Sequence, residues 1–102
     1  MREFYKLAEG YSKRFPEGFT PYQMTTRLLE ECGEVASQVC HFEGSGLKRA
    51  KYGEPSREKL AGEIKQAVAA LMQIALYYGV EKELDASVKA SLDKMREEKL
   101  IN

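Results

Sequence analysis

Residues 60 to 80, "LAGEIKQAVAALMQIALYYGV", decide the fold. Apolar residues recur in this stretch at alternating steps of four and three, at Leu60, Ile64, Ala67, Leu71, Ile74 and Tyr78. That spacing places them on one face of an α-helix and is typical of helices that pack in bundles. Neighbouring positions widen the apolar face to roughly a third of the circumference or more, through Ala61, Val68, Met72 and Ala75. We therefore predict that this helix is the most buried one in the molecule.

The same pattern predicts two helices before this one. Residues 3 to 15 have amphipathic spacing, and the helix should end at Phe15-Pro16. Thr20 is a good N-cap for the second helix, with Pro21 at a position where its missing N–H costs nothing. The second helix should continue to about Phe42.

The stretch 60 to 80 then belongs to a third helix, and a fourth one follows it. Ser56 is a suitable N-cap for the third helix, which should end at Tyr78-Gly79. The fourth helix should run from about Glu81 to Lys99, and residues 43 to 55 read as a polar loop. Because no alternating strand pattern occurs, the sequence predicts an all-α fold: one domain over residues 1 to 102, an antiparallel four-helix bundle.

Composition limits the kinds of partner. The 102 residues contain 16 Lys plus Arg and 16 Asp plus Glu, so no net charge favours nucleic acid or an anionic membrane. No apolar run approaches the roughly 18 residues of a spanning helix, and the first residues lack a signal-peptide pattern. We therefore expect a cytoplasmic protein without a membrane or nucleic-acid partner. Cys32 and Cys40 are expected to be reduced thiols in the core.

An unusual group of acids lies in the second helix, at residues 28 to 38, "LLEECGEVASQ". Projected at about 100° per residue, Glu31 and Glu34 lie along one edge of the apolar face, whereas Glu30 points away. In the third helix, Glu63 and Gln66 occupy the same kind of edge. If the two helices pack antiparallel, the edge that carries Glu31 and Glu34 can face the edge of the third helix described above.

Carboxylate oxygens from facing helices suit a hard divalent cation. Mg²⁺ takes oxygen ligands in octahedral geometry and is often shared with substrate phosphates. Buried carboxylates without compensation would be strongly unfavourable or would take up a proton. The pattern therefore predicts a magnesium site between the second and third helices.

Two segments of the second and third predicted helices, taken together, resemble the sequence pattern of a known family. The stretch "RLLEECGEVASQV", followed after a loop by "LAGEIKQAVAALMQIALYYGV", is similar to the MazG-like all-α nucleoside triphosphate pyrophosphohydrolases. Their pattern is an E-E-x-x-E helix, a spacer and an E-x-x-D helix. The resemblance covers roughly residues 20 to 98. It implies Mg²⁺-dependent hydrolysis of a nucleoside triphosphate to the monophosphate and pyrophosphate, with Mn²⁺ as an alternative ion.

The resemblance assigns roles to individual residues. Glu31, Glu34 and Glu63 match metal-binding glutamates, and Gln66 stands where the family has Asp. Glu30 matches the remaining glutamate and is expected to support the site. Either Glu31 or Glu34 can serve as the base that activates the attacking water. Gln66 still offers a carbonyl oxygen to a metal but removes one negative charge, so metal affinity should fall.

Further residues are candidates for contact with substrate. The family uses a Lys in its C-terminal helix, and Lys94 is the match here. Lys48, Arg49 and Lys51 form a basic loop that can grip phosphates, although such loops are more often simply solvated. His41 can touch substrate or can interact with the negative end of its own helix.

Two other functions remain open. One is a non-catalytic relative that binds a nucleotide or metal, for which Gln66 is the main argument. The other is a helical interaction module, in which the glutamates form a solvated stripe. In all three cases we expect a homodimer, or a pair of dimers, because the broad apolar face exceeds what three short neighbouring helices can cover.

Overall fold

The computed structural model describes residues 2–16, 20–44 and 47–102, apart from the side chains of residues 47 and 48. This part of the chain contains no strand and five helices, which are α1 (Arg2–Arg14), α2 (Pro21–Glu43), α3 (Leu47–Tyr52), α4 (Arg57–Tyr78) and α5 (Glu81–Glu97). The all-α prediction is confirmed, and the four predicted helices correspond to α1, α2, α4 and α5 with ends within two residues of those expected.

The predicted N-caps form at both central helices. The Thr20 hydroxyl accepts a hydrogen bond from the Gln23 N–H at 3.2 Å, and the Gln23 side-chain oxygen accepts one from the Thr20 N–H at 2.8 Å. This reciprocal pair is a capping box, and Pro21 follows it at the first helical position. At α4, the Ser56 hydroxyl accepts from the Lys59 N–H at 3.2 Å. Local side-chain chemistry therefore fixes where α2 and α4 begin.

Helices α4 and α5 end in the same backbone motif. After α4, Gly79 adopts a left-handed φ of 66°, and the Val80 N–H donates to the Ala75 carbonyl at 3.0 Å. After α5, Lys99 has a φ of 61°, and the Leu100 N–H donates to the Met95 carbonyl at 2.9 Å. Both are Schellman motifs, which satisfy carbonyls left without partners at a helix end.

The fold differs from the prediction between α2 and α4, where a loop was expected. Helix α3, with the sequence LKRAKY, occupies six residues of that loop. Six residues give less than two turns and no apolar repeat, and so short a helix is marginal by itself. Contacts with α2, described below, hold it in place.

Helix α4 lies at the centre, with α1 and α2 packed against it. The residues most shielded from solvent are mainly on α4: Ala8 of α1, and Ala69, Ala70, Met72, Gln73 and Ala75 of α4. Gln73 donates a hydrogen bond to the Ser12 hydroxyl of α1 at 3.4 Å. The prediction that this helix is the most buried is confirmed. Helix α5 packs against α4 much less extensively, and none of its residues is buried.

Part of the predicted apolar seam remains uncovered. Ile64, Leu71 and Tyr78 recur every seven residues along α4 and are 45%, 47% and 59% exposed. On α2, Leu29 and Val39 are also exposed, as are the two cysteines expected in the core. The radius of gyration is 16.9 Å, whereas a compact domain of about 100 residues has about 13 Å. A single copy therefore buries a core of mostly small side chains and leaves larger ones exposed.

None of the described helices is long and apolar enough to cross a membrane.

Candidate functional site

Helices α2 and α4, which carry the predicted acidic residues, run antiparallel. Near one end, Met24 lies beside Gln73 and Leu76, where α1 also contributes to a shared surface groove. Near the other end, Phe42 lies beside Leu60 and Ile64. Since the start of α2 meets the end of α4, the antiparallel arrangement expected for facing acidic strips is present.

The predicted ligands lie near the middle of this pair of helices. Interpolating between the two ends at about 1.5 Å per residue places Glu34 roughly level with Gln66, and Glu63 about one turn away. Glu31, Glu63 and Gln66 are half-buried, whereas Glu34 is exposed. Three of the four side chains are thus partly covered by the packing of the helices.

The donor set has the chemistry that Mg²⁺ or Mn²⁺ requires, because three carboxylates and one amide offer only oxygen ligands. Across residues 2–16, 20–44 and 47–102, however, no three His, Cys, Asp or Glu side chains lie close enough together to hold a metal ion. The antiparallel packing of α2 and α4 is present, and the binding of an ion by Glu31, Glu34 and Glu63 stays a prediction.

The predicted substrate-binding cations are scattered. Lys94 is exposed on α5, about 21 Å along the helix from the turn at Val80, at 1.5 Å per residue. Lys51 lies over the ring of Tyr52, 5.1 Å from its centroid, and the side chain of Lys48 lies outside the described part. The Arg49 guanidinium donates a hydrogen bond to the Phe42 carbonyl at 2.9 Å. Of these cations, Arg49 has a structural partner that the sequence did not reveal.

Helix α3 is fastened to the end of α2 by two hydrogen bonds that run in opposite directions. Arg49 of α3 donates to Phe42, which is among the last four α2 residues, whose carbonyls lack partners within the helix. His41 of α2 donates in return through Nε2 to the Gly53 carbonyl just after α3, at 2.8 Å. The His41 ring also meets the Tyr52 ring edge-on, with centroids 6.4 Å apart. We call this set of contacts the α3 latch.

A cavity of about 240 Å³ lies beside the α3 latch. Its walls come from α2, α3 and α4, and the lining residues are Ser37, Gln38, His41, Tyr52 and Lys59. The Gln38 Oε1 atom is shielded from solvent and accepts no hydrogen bond from any residue that the structure describes. Sequence reasoning singled out His41, but it did not identify Gln38 or Lys59 as part of a pocket. Tyr52 lines the same pocket because residues 47 to 52 form helix α3. No local sequence pattern indicates this helix.

An open apolar groove of about 510 Å³ lies along the neighbouring surface of the same two helices. It is lined by Phe42 of α2 and by Leu60, Ala61 and Ile64 of α4, with Arg57 and Glu58 at one end. Because Ile64 belongs to the exposed seven-residue repeat, the groove continues the uncovered apolar surface of α4.

Comparison with known proteins gives one informative relative. The chain is 35% identical over 65 residues to a Bacillus subtilis (strain 168) protein, YpjD, which is described as uncharacterized. The matched region is 63% of this chain and 59% of YpjD, so the chain spans less than two thirds of the relative. No family model matches the chain. No solved structure matches it either. What the comparisons support is a similarity to YpjD over somewhat more than half of each protein.

Proposed function

We propose that the protein is a Mg²⁺-dependent nucleoside triphosphate pyrophosphohydrolase of the MazG-like kind. The observation that carries this proposal is the antiparallel packing of α2 against α4, with Glu31, Glu63 and Gln66 half-buried on the two helices. Carboxylates carried on facing helices are the oxygen ligands that a divalent cation bound to a triphosphate prefers.

In this proposal, residues of α2 and α4 bind the metal, and one of them also activates the attacking water. Glu31, Glu34 and Glu63 hold the metal, and Gln66 contributes a neutral carbonyl oxygen. When bound, the ion neutralises phosphate charge and polarises the phosphoryl group. Glu34, the exposed acid of the set, is accessible to solvent and suits the role of base toward an attacking water. Attack at the α-phosphorus forms a new P–O bond and expels pyrophosphate, leaving a monophosphate.

The direct test is release of pyrophosphate from a panel of nucleoside triphosphates in the presence of Mg²⁺. We expect wild-type protein to release it and Glu31→Gln and Glu63→Gln to lose at least about 100-fold in kcat/KM, as for loss of an essential metal ligand. Glu43→Gln is the matched control, because it makes the same chemical change on an exposed position at the end of α2, away from the proposed ligands. Equal activity of the Glu43 and Glu31 variants would contradict the assignment.

A non-catalytic relative is the second candidate, and Gln66 favours it. A half-buried amide where the family has a carboxylate reduces the charge available to the metal. In this case no triphosphate is turned over by the wild-type protein, Mg²⁺ or nucleotide binding persists in calorimetry, and Gln66→Asp restores measurable turnover. The same substitution in an active enzyme should instead tighten Mg²⁺ binding without creating a new activity.

We also propose that the protein is a homodimer that buries the uncovered apolar surface of α4 and α2. The exposed repeat of Ile64, Leu71 and Tyr78 has the seven-residue spacing of helix pairs that pack side by side. Pairing two such surfaces would complete a four-helix bundle from α2 and α4 of each copy. A further pairing of dimers is compatible with the apolar residues of α5, including Val88 and Met95, which are 37% and 41% exposed.

A further inference from the structure

Helix α4 has apolar residues on two opposite faces, and only one face is covered within the chain. Ala69 and Gln73 are buried, and Gln73 is hydrogen-bonded to α1. At about 100° per residue, both project to the side of α4 opposite Leu71. The residues on the Leu71 side are half-buried or exposed, and they are Leu60, Ile64, Ala67, Leu71, Ile74 and Tyr78. We call these six residues the outer face of α4.

The accessible surface of the chain is large enough to supply an interface with a second copy. The chain exposes 7890 Å², about 2,000 Å² more than a compact monomer of the same mass exposes. A stable dimer buries about 800 Å² on each partner. The outer face offers three large side chains to such an interface, because Ile64, Leu71 and Tyr78 are each about half exposed.

The two ends of the outer face differ in shape. Near the start of α4, Leu60 and Ile64 line the open groove of about 510 Å³, together with Phe42 of α2. At the end of α4, the Tyr78 ring is exposed and lies edge-on to the Tyr77 ring, with centroids 5.0 Å apart. One end therefore has a concave apolar surface, and the other end has a projecting aromatic ring.

This difference in shape favours one direction of pairing between two copies. A closed dimer uses the same surface on both copies. Parallel pairing of α4 would set the groove opposite the groove and Ala67 opposite Ala67, which leaves space unfilled. Antiparallel pairing centred at the level of Ala69 sets Tyr78 opposite Leu60 of the second copy, and Leu71 opposite Ala67. Each large side chain then meets a small one or the groove, as close packing requires.

We infer that α4 pairs antiparallel with α4 of a second copy, and that Tyr78 of each copy fills the groove at Phe42, Leu60 and Ile64 of the other. The inference rests on the proposed homodimer and does not depend on hydrolysis. It adds the direction of pairing and the residue that anchors it. An aromatic ring that fills an apolar pocket of the partner is typical of the residues that dominate binding energy at interfaces.

Disulfide cross-linking tests the direction of pairing. Cys32 and Cys40, which are exposed, are first replaced by serine, and Leu60→Cys and Tyr78→Cys are then introduced singly and together. We expect covalent dimers from the double variant only, because each position faces the other one across an antiparallel pair and lies about 27 Å along the axis from its own counterpart. Within one chain the two positions are equally far apart, so they cannot form a disulfide.

Leu100→Cys is the control for cross-linking by random collision, since Leu100 is 68% exposed beyond the end of α5. Each single variant on α4 should cross-link no more than this control does. Cross-linking of Leu60→Cys or of Tyr78→Cys alone above that level would show a parallel pair and would overturn the inference. A double variant that is dimeric but forms no covalent dimer would also overturn it.

A second measurement tests Tyr78 as the anchor. In sedimentation equilibrium, Tyr78→Ala should raise the dissociation constant of the dimer by at least about 30-fold, the usual scale for a dominant interface residue. Phe15→Ala is the matched control, because it removes a half-exposed ring just after α1. Helix α1 packs on the side of α4 that carries Gln73, away from the outer face, so this variant should dimerise like the wild type.

The outcomes separate this inference from the proposals on which it depends. An unchanged dissociation constant in Tyr78→Ala would overturn the inference and leave the homodimer intact, as would either contrary cross-linking result. A wild-type protein that is monomeric at micromolar concentration would overturn the homodimer and the inference together. Release of pyrophosphate is measured separately, so the absence of turnover in a cross-linked antiparallel dimer would remove the hydrolase and support the pairing.

Discussion

Gly79 and Lys99 both adopt a left-handed backbone conformation just after a helix. This conformation favours glycine, so only Gly79 is well suited to its position. Both have a φ above 60°, which glycine adopts freely and which costs other residues roughly 1 kcal/mol. We expect Lys99→Gly to raise the free energy of unfolding by about 1 kcal/mol, and Gly79→Ala to lower it by about the same amount. Urea unfolding followed by circular dichroism measures both changes. The same sign for the two variants would contradict the explanation.

Tyr5 of α1 has a hydroxyl shielded from solvent, close to the start of α5. Burial of the hydroxyl raises the pKa of Tyr5 above its ordinary value, and the negative charges of Asp85 and Glu81 raise it further. Because the folded protein retains this proton to a higher pH than the unfolded chain does, the associated stability is complete below about pH 10 and declines as the pH rises through the folded pKa.

This gives a prediction for alkaline stability. As the pH rises above about 10, the free energy of unfolding of the wild-type protein should fall more steeply than that of Tyr5→Phe, which has no proton to lose. Tyr22→Phe is the control, because Tyr22 is 86% exposed and should leave the pH dependence as in the wild type. Parallel curves for wild type and Tyr5→Phe would show that the environment of Tyr5 does not affect its titration.

At the scale of elements, α3 depends on the α3 latch. Replacing Arg49 with Met removes the hydrogen bond to the Phe42 carbonyl and should loosen α3 without unfolding the rest. The Gly53 N–H, which donates to the Arg49 carbonyl at 2.8 Å, should then exchange with solvent several-fold faster, as expected for loss of one hydrogen bond worth about 1 kcal/mol. Hydrogen exchange by NMR measures this rate.

The control for this prediction lies on the same helix. Lys51→Met introduces the same side chain but removes only a contact between the ammonium and the Tyr52 ring. Amides in α2 and α4 should be unaffected by either change. Faster exchange at Gly53 in both variants would mean that α3 is held by its own helix propensity instead of by the latch.

The elements that the sequence predicted correctly are those whose determinants are local. The caps at Thr20 and Ser56, the stop at Gly79 and the apolar repeats specify α1, α2, α4 and α5 without reference to the rest of the chain. Helix α3 was not predicted because its determinants lie elsewhere: its partners at His41 and Phe42 belong to α2. A segment that is stabilised by distant residues leaves no periodic pattern of its own.

At the scale of the whole molecule, the exposed apolar repeat predicts association. The chain has a mass of 11.6 kDa, and light scattering at micromolar concentration should give twice that value. Leu71→Asp should shift the protein to the monomer, because a carboxylate at the centre of the repeat would be buried without a partner in the dimer. Leu100→Asp is the control, since it makes the same substitution at a leucine that is 68% exposed beyond the end of α5, outside the proposed interfaces. A wild-type monomer, or a dimer unaffected by Leu71→Asp, would contradict the proposal.

The candidate site was predictable only in part. Helical periodicity indicated which edges of α2 and α4 carry Glu31, Glu34, Glu63 and Gln66, and the antiparallel packing that could bring those edges together is present. Side-chain distances depend on rotamers and on how closely the backbones approach. A helical projection gives information about neither. The cavity at Gln38 was inaccessible to this reasoning because one of its walls belongs to α3.

The small size of the core side chains has a consequence for how the helices are spaced. Helices approach to about 8 Å when the side chains between them are small and lie about 10 Å apart when they are large. Ala8 is completely buried, and Ala69 and Ala70 of α4 are nearly so, so these small side chains allow the helices packed around α4 to approach it closely. Enlarging one of them would displace an entire helix as a rigid rod and carry every residue on it outward together. The spacing of the helices around α4 therefore depends on side chains no larger than a methyl group.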